Sequence, residues 1–121
     1  MGYKRGVHMD KEQLEKLTIN YQRIQSQLQA LAMQKEQFTM QKEEYAEALE
    51  QVEKATGKVY SAKGGTIVET TKEEAAKNIK EKQETTSLRL SIVTKQYDEA
   101  AKREKSMRDE INTILKDQQQ K

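Results

Sequence analysis

Cysteine, proline and tryptophan are absent from this 121-residue chain, and phenylalanine and histidine occur once each. Without cysteine there are no disulfides, no thiolate chemistry and no Cys-based metal site, and a reducing compartment is allowed. The single histidine, His8, lies in an N-terminal tail, so no Ser-His, Cys-His or multi-histidine metal constellation can form. No catalytic residue, metal or cofactor is therefore expected. Large apolar side chains are also scarce: the AVILMFWYC set makes up 34% of the chain and charged residues 35%, against roughly 45 to 50% apolar and about 25% charged in typical soluble domains. Such a chain cannot fill a rounded core. It must bury a narrow stripe or stay unfolded.

Charge of one sign is lacking too. Twenty-two Lys and Arg stand against twenty Asp and Glu, a net charge of +2, which gives no electrostatic case for nucleic acid as a partner. No run approaches the roughly 18 apolar residues of a membrane span, and no signal-peptide core follows the N-terminus. The expectation is a cytoplasmic protein with no membrane partner.

What remains is periodicity. The five glycines fall in the tail and in one mid-chain patch (Gly57, Gly64, Gly65), leaving two long stretches free of helix breakers. In the first, Leu14, Leu17, Tyr21, Ile24, Leu28, Leu31, Phe38, Tyr45, Leu49 and Val52 recur at alternating spacings of three and four, interrupted only by Lys35 and Lys42. In the second, Ala76, Ile79, Leu90, Val93, Tyr97, Ala100, Met107, Ile111 and Ile114 repeat the pattern, with Gln83, Thr86 and Glu104 as lapses. Nineteen of these twenty-four positions are apolar, where chance would place about eight, so both stretches read as coiled-coil seams. Asp10 with Gln13 resembles a capping box, Gly57 suits the position past the helix end, and Thr71-Lys72-Glu73-Glu74 is a second start signal. The predicted organisation is a disordered or expression-derived tail over 1–9, then one domain over 10–121. Within it a helix covers about 11–55, a β-hairpin about 58–70 and a second helix about 72–118. The fold class is mainly α, a long antiparallel two-helix coiled coil with one β-hairpin at the connecting end. Folding back at Gly64 pairs residues whose numbers sum to 128, so that Leu14 meets Ile114, Tyr21 meets Met107 and Leu28 meets Ala100.

Gly64-Gly65 separates two short β-rich runs and suits a type I′ or II′ turn, whose central residues need positive φ. Val59 and Val68 fall on one face of this hairpin, and Tyr60, Ala62 and Ile67 on the other. A lone two-stranded ribbon with apolar residues on both faces and both edges free is marginal in water. These five residues are therefore the candidates for oligomerisation by strand addition. Within the two helical stretches six large apolar residues lie outside the seam: Ile19, Met33, Met40, Leu88, Ile92 and Leu115. Isolated apolar surface residues are ordinary, but Ile19 and Leu115 adjoin the last seam layers, Leu14, Leu17, Ile111 and Ile114. Together these six could present apolar surface at the open end.

The run from Val59 to Val68, followed by Thr70-Thr71-Lys72-Glu73-Glu74-Ala75 opening a second long helix, resembles the beta-class prefoldin subunits, archaeal type, and the likeness covers nearly all of the chain from Asp10. Gly64-Gly65, Ala62 and Lys63 make this hairpin less apolar than those of the family. The resemblance implies an ATP-independent chaperone in which two alpha and four beta subunits join hairpins into a hexamer. Its coiled-coil tips would hold unfolded client proteins, here through Leu14, Leu17, Ile19, Ile111, Ile114 and Leu115, and pass them to a group II chaperonin. The alternative is a structural or adaptor coiled coil that assembles through its hairpin.

Overall fold

The computed structural model describes residues 11–119, with side chains to 118. The tail expected over 1–9 and the cap expected at Asp10 lie outside the described residues. Four elements follow in order: α1 (Lys11–Lys54), β1 (Val59–Lys63), β2 (Thr66–Thr70) and α2 (Lys72–Gln119). The fold class is the one expected, two long helices joined by a two-stranded antiparallel hairpin.

Local chemistry explains where the elements stop and start. Glu12 in the first turn of α1 and Lys54 in its last complement the helix dipole. The end of α1 departs from expectation. The Ala55 N–H donates to the Val52 carbonyl at 3.2 Å, a tightened final turn. Gly57 does not adopt the left-handed conformation, because the helix is already closed before the chain reaches it. At the start of α2 the expected cap is present: the Glu74 N–H donates to Thr71 Oγ1 at 3.0 Å, and the Ala75 N–H to the Thr71 carbonyl at 2.9 Å. Between the helices, Gly64 (φ 53°) and Gly65 (φ 83°) make the type I′ turn, a conformation that any Cβ would strain. The strands pair Val59 with Thr70, Tyr60 with Glu69, Ser61 with Val68, Ala62 with Ile67 and Lys63 with Thr66.

The described residues form two compact units, each treated by itself: one comprises Lys11 to Met33 with Thr94 to Gln119, the other Gln34–Val93. In the first, the buried residues are Ile24, Leu31, Ala100 and Ile114, and Leu14, Leu17, Tyr21, Leu28, Met107 and Ile111 are half-buried. All lie on the expected seam. In the second, Val93, Thr86 and Ala75 are buried, with Phe38, Tyr45, Leu49, Val52, Ile79 and Leu90 half-buried. Ala75 lies one position off the expected seam, beside the half-buried Ala76.

The lapses in the seam are handled in different ways. Lys42 is exposed, Lys35 and Gln83 are half-buried, and Thr86 retains only 4% of its exposure. Glu104 is held: Tyr21 donates its hydroxyl to Glu104 Oε2 at 3.2 Å, and Arg108 Nη1 lies 3.5 Å from Oε1. Glu104 and Arg108 flank Met107, the residue set opposite Tyr21 by the pairing about Gly64. No buried side-chain nitrogen or oxygen lacks a partner among the described residues, as a narrow apolar seam requires.

Two outcomes follow from this packing. Leu28→Cys with Ala100→Cys should form an intrachain disulfide under mild oxidation, because facing seam positions bring side chains within bonding reach. Efficient crosslinking of Leu28→Cys to Met107→Cys instead would show a register displaced by a heptad. Burial, followed by the charge on Glu104 and the hydrogen bond to it, pushes the Tyr21 phenol above its ordinary value of 10.0, while Arg108 and Gln25 oppose the shift. The fold thus holds this proton more tightly than the unfolded chain does. Its stabilising contribution is complete below the unfolded value and disappears as pH rises through the folded one. Denaturation midpoints at about pH 8 and about pH 11 should fall further in the parent chain than in Tyr21→Phe, and equal falls would remove Tyr21 from the account.

Candidate functional site

Two surfaces carry the residues singled out from the sequence. The first is the hairpin. Side chains alternate along a strand, and the observed register sets Tyr60, Ala62, Ile67 and Glu69 on one face and Val59, Ser61, Lys63, Thr66, Val68 and Thr70 on the other. Tyr60 is 57% exposed, Ile67 73% and Val68 43%, while Val59 is half-buried and Ala62 exposed. Among the described residues each strand pairs only with the other, leaving one free edge apiece. Lys58 and Glu69 form an ion pair at 3.4 Å, and both are so exposed that it contributes little.

The second surface is the end of the first unit. Leu14, Leu17 and Ile111 are half-buried, Ile19 is 48% exposed and Leu115 42%. Ile114 is 4% exposed, so it supports the packing there and is not displayed. Ile111 and Leu115 border one open groove with Tyr21, Gln25 and Arg108, whereas Ile19 lies outside it. The remaining apolar residues off the seam, Met33, Met40, Leu88 and Ile92, are all more exposed than Ile19.

A third surface was not singled out from the sequence. In the second unit an open groove of about 550 Å³ is bordered by Tyr45, by Ser61, Ala62 and Lys63 of β1, and by α2 residues from Asn78 to Arg89. Its cations are Lys63, Lys82 and Arg89. The sequence does carry a signal for two of them. Neither Lys82 nor Arg89 has an acid three or four residues away on either side, unlike Lys77 and Lys80, which do. No group of three or more potential metal ligands occurs among the described residues, and no described helix is long and apolar enough to cross a membrane.

Comparison with known proteins bears on the same architecture. The family profile described as prefoldin subunit matches residues 11–118. A prefoldin subunit beta from Methanosarcina mazei is 33% identical over 57 residues, a stretch covering 47% of this chain and 49% of that protein. The alignment therefore spans about half the length of that relative. The crystal structure of the prefoldin beta subunit from Thermococcus strain KS-1 superposes with a TM-score of 0.80 at 28% identity, covering 90% of this chain and 96% of that one. The fold is thus shared along nearly the whole chain, and the chain belongs to the prefoldin subunit family.

Proposed function

We propose that this chain is a beta-type subunit of an ATP-independent chaperone, acting in the cytoplasm. It assembles through its hairpin with an alpha-type subunit, two alpha to four beta, and holds unfolded client proteins at its open helical end for delivery to a group II chaperonin. On this reading residues 10–121 act as one domain, and residues 1–9 are given no role. The observation that carries the reading is the family match over residues 11–118, joined to apolar exposure at both places such a subunit would use. Tyr60, Ile67 and Val68 supply it on the hairpin, and Ile19 and Leu115 at the open end.

The physics sets the manner of client binding. An aliphatic side chain fully removed from water contributes roughly 1.5 to 3 kcal/mol, and less in a partial contact. One open end therefore holds a client weakly, and several in one assembly hold it through raised effective concentration. No nucleotide is needed for such capture, since only surface is exchanged with water. A structural or adaptor coiled coil would share the hairpin assembly but would have no reason to hold non-native chains.

Assembly and capture are separable by experiment. Ile67→Asp with Val68→Asp should leave helical content nearly unchanged by circular dichroism and abolish the complex with an alpha-type subunit. Native mass spectrometry showing an unchanged assembly would refute hairpin-driven association. Removal of residues before about Tyr21 and after about Met107 takes away Leu14, Leu17, Ile19, Ile111, Ile114 and Leu115, yet leaves most of the seam and the whole hairpin. This truncation should assemble and fail to suppress aggregation of a chemically unfolded client. Full suppression by the assembled truncation would shift the client surface to the flanks, around Met33, Met40, Leu88 and Ile92.

A further inference from the structure

The groove beside β1 has a composition that the seam and the open end leave unexplained. It is bordered by three cations, Lys63, Lys82 and Arg89, and one acid, Glu81, with the Tyr45 hydroxyl and the Asn78 amide as further polar groups. All three cations are exposed, and none takes part in an ion pair among the described residues. Unpaired cations gathered on one groove repel one another, and an anionic occupant relieves that repulsion.

The backbone adds a shape. Successive strand residues point to opposite faces, so a groove touched by Ser61, Ala62 and Lys63 in turn follows the edge of β1 and does not lie over one face. That edge is the one β2 leaves free. In a two-residue hairpin the residues flanking the turn form a hydrogen-bonded pair, so the alternation turns the N–H and C=O of Ala62 and Tyr60 away from β2. An extended segment entering here meets backbone donors and acceptors on one side and cations on the other.

We propose that this groove receives an extended, acidic strand of a partner subunit, which adds to the free edge of β1 and sets its carboxylates against Lys63, Lys82 and Arg89. The inference rests on the reading that the hairpin is the assembly element, and supplies its selectivity. Strand addition alone accepts almost any extended chain, whereas the three cations favour an acidic one over a basic one.

The test uses the intact chain and a short fluorescein-labelled peptide of alternating Val and Glu, compared by anisotropy with its Val-Lys counterpart and with a single-stranded oligothymidylate. The acidic peptide should bind and weaken with added salt. Lys82→Glu with Arg89→Glu should weaken it by about tenfold, a modest figure because each pair is exposed, while Lys82→Arg with Arg89→Lys retains it. Both positions are exposed on α2, and unchanged circular dichroism verifies folding. Equal binding of the basic peptide, binding of the oligonucleotide alone, or indifference to the charge reversal would overturn the proposal. So would an unaltered complex between the charge-reversed chain and an alpha-type subunit. If the chain alone forms an oligomer that charge reversal dissolves, the occupant is a second copy and the partner-subunit assignment falls. If the parent chain binds the acidic peptide yet never joins an alpha-type subunit, the assembly reading fails while the groove's preference for acidic strands stands.

Discussion

Burial of a single apolar stripe on each helix is the constraint on which the rest of this structure depends. With 34% of residues in the apolar set and only one phenylalanine, the chain can dehydrate seam residues such as Ile24, Leu31, Val93, Ala100 and Ile114, and little else. Helix propensity alone would not hold such elements, since most helical stability in proteins comes from packing an amphipathic face. The absence of proline and of glycine within α1 and α2 lets each helix run without a break. Because the stripe is narrow, no large side chain among the described residues is completely enclosed.

A seam this thin has few places for polar groups, and those it carries are resolved by different means. Glu104 accepts the Tyr21 hydroxyl and pairs with Arg108. Thr86 is small enough to be buried outright. Lys42 remains in water, consistent with the tendency of a long cationic side chain to keep its head solvated. Thr86 borders the cationic groove beside β1, so one edge of that groove coincides with a place where the apolar seam lapses.

Having almost no interior, the chain carries its chemistry on surfaces. The hairpin buries neither face fully, and its Tyr60, Ile67 and Val68 stay in contact with water. Two strands with free edges gain from a third. Family membership implies assembly with other prefoldin subunits.

Much of the fold was legible in the sequence because its signals are local or periodic. A seam recurring every three and four residues specifies helix type and buried face. Thr71 announces the start of α2, and consecutive glycines announce a turn that demands positive φ at both positions. Gly57 was misleading, since a glycine near a helix end permits a left-handed cap without requiring one, and the α1 backbone closed earlier through Ala55 and Val52. Tertiary structure alone decided the matters that depend on distance. It turned Glu104 from a lapse in the seam into an acceptor for Tyr21, and it gathered Lys63 of the hairpin with Lys82 and Arg89 of the second helix on one groove. Sequence periodicity reports which face of a helix is buried, but residues nineteen or more positions apart become neighbours only when the chain has folded back on itself.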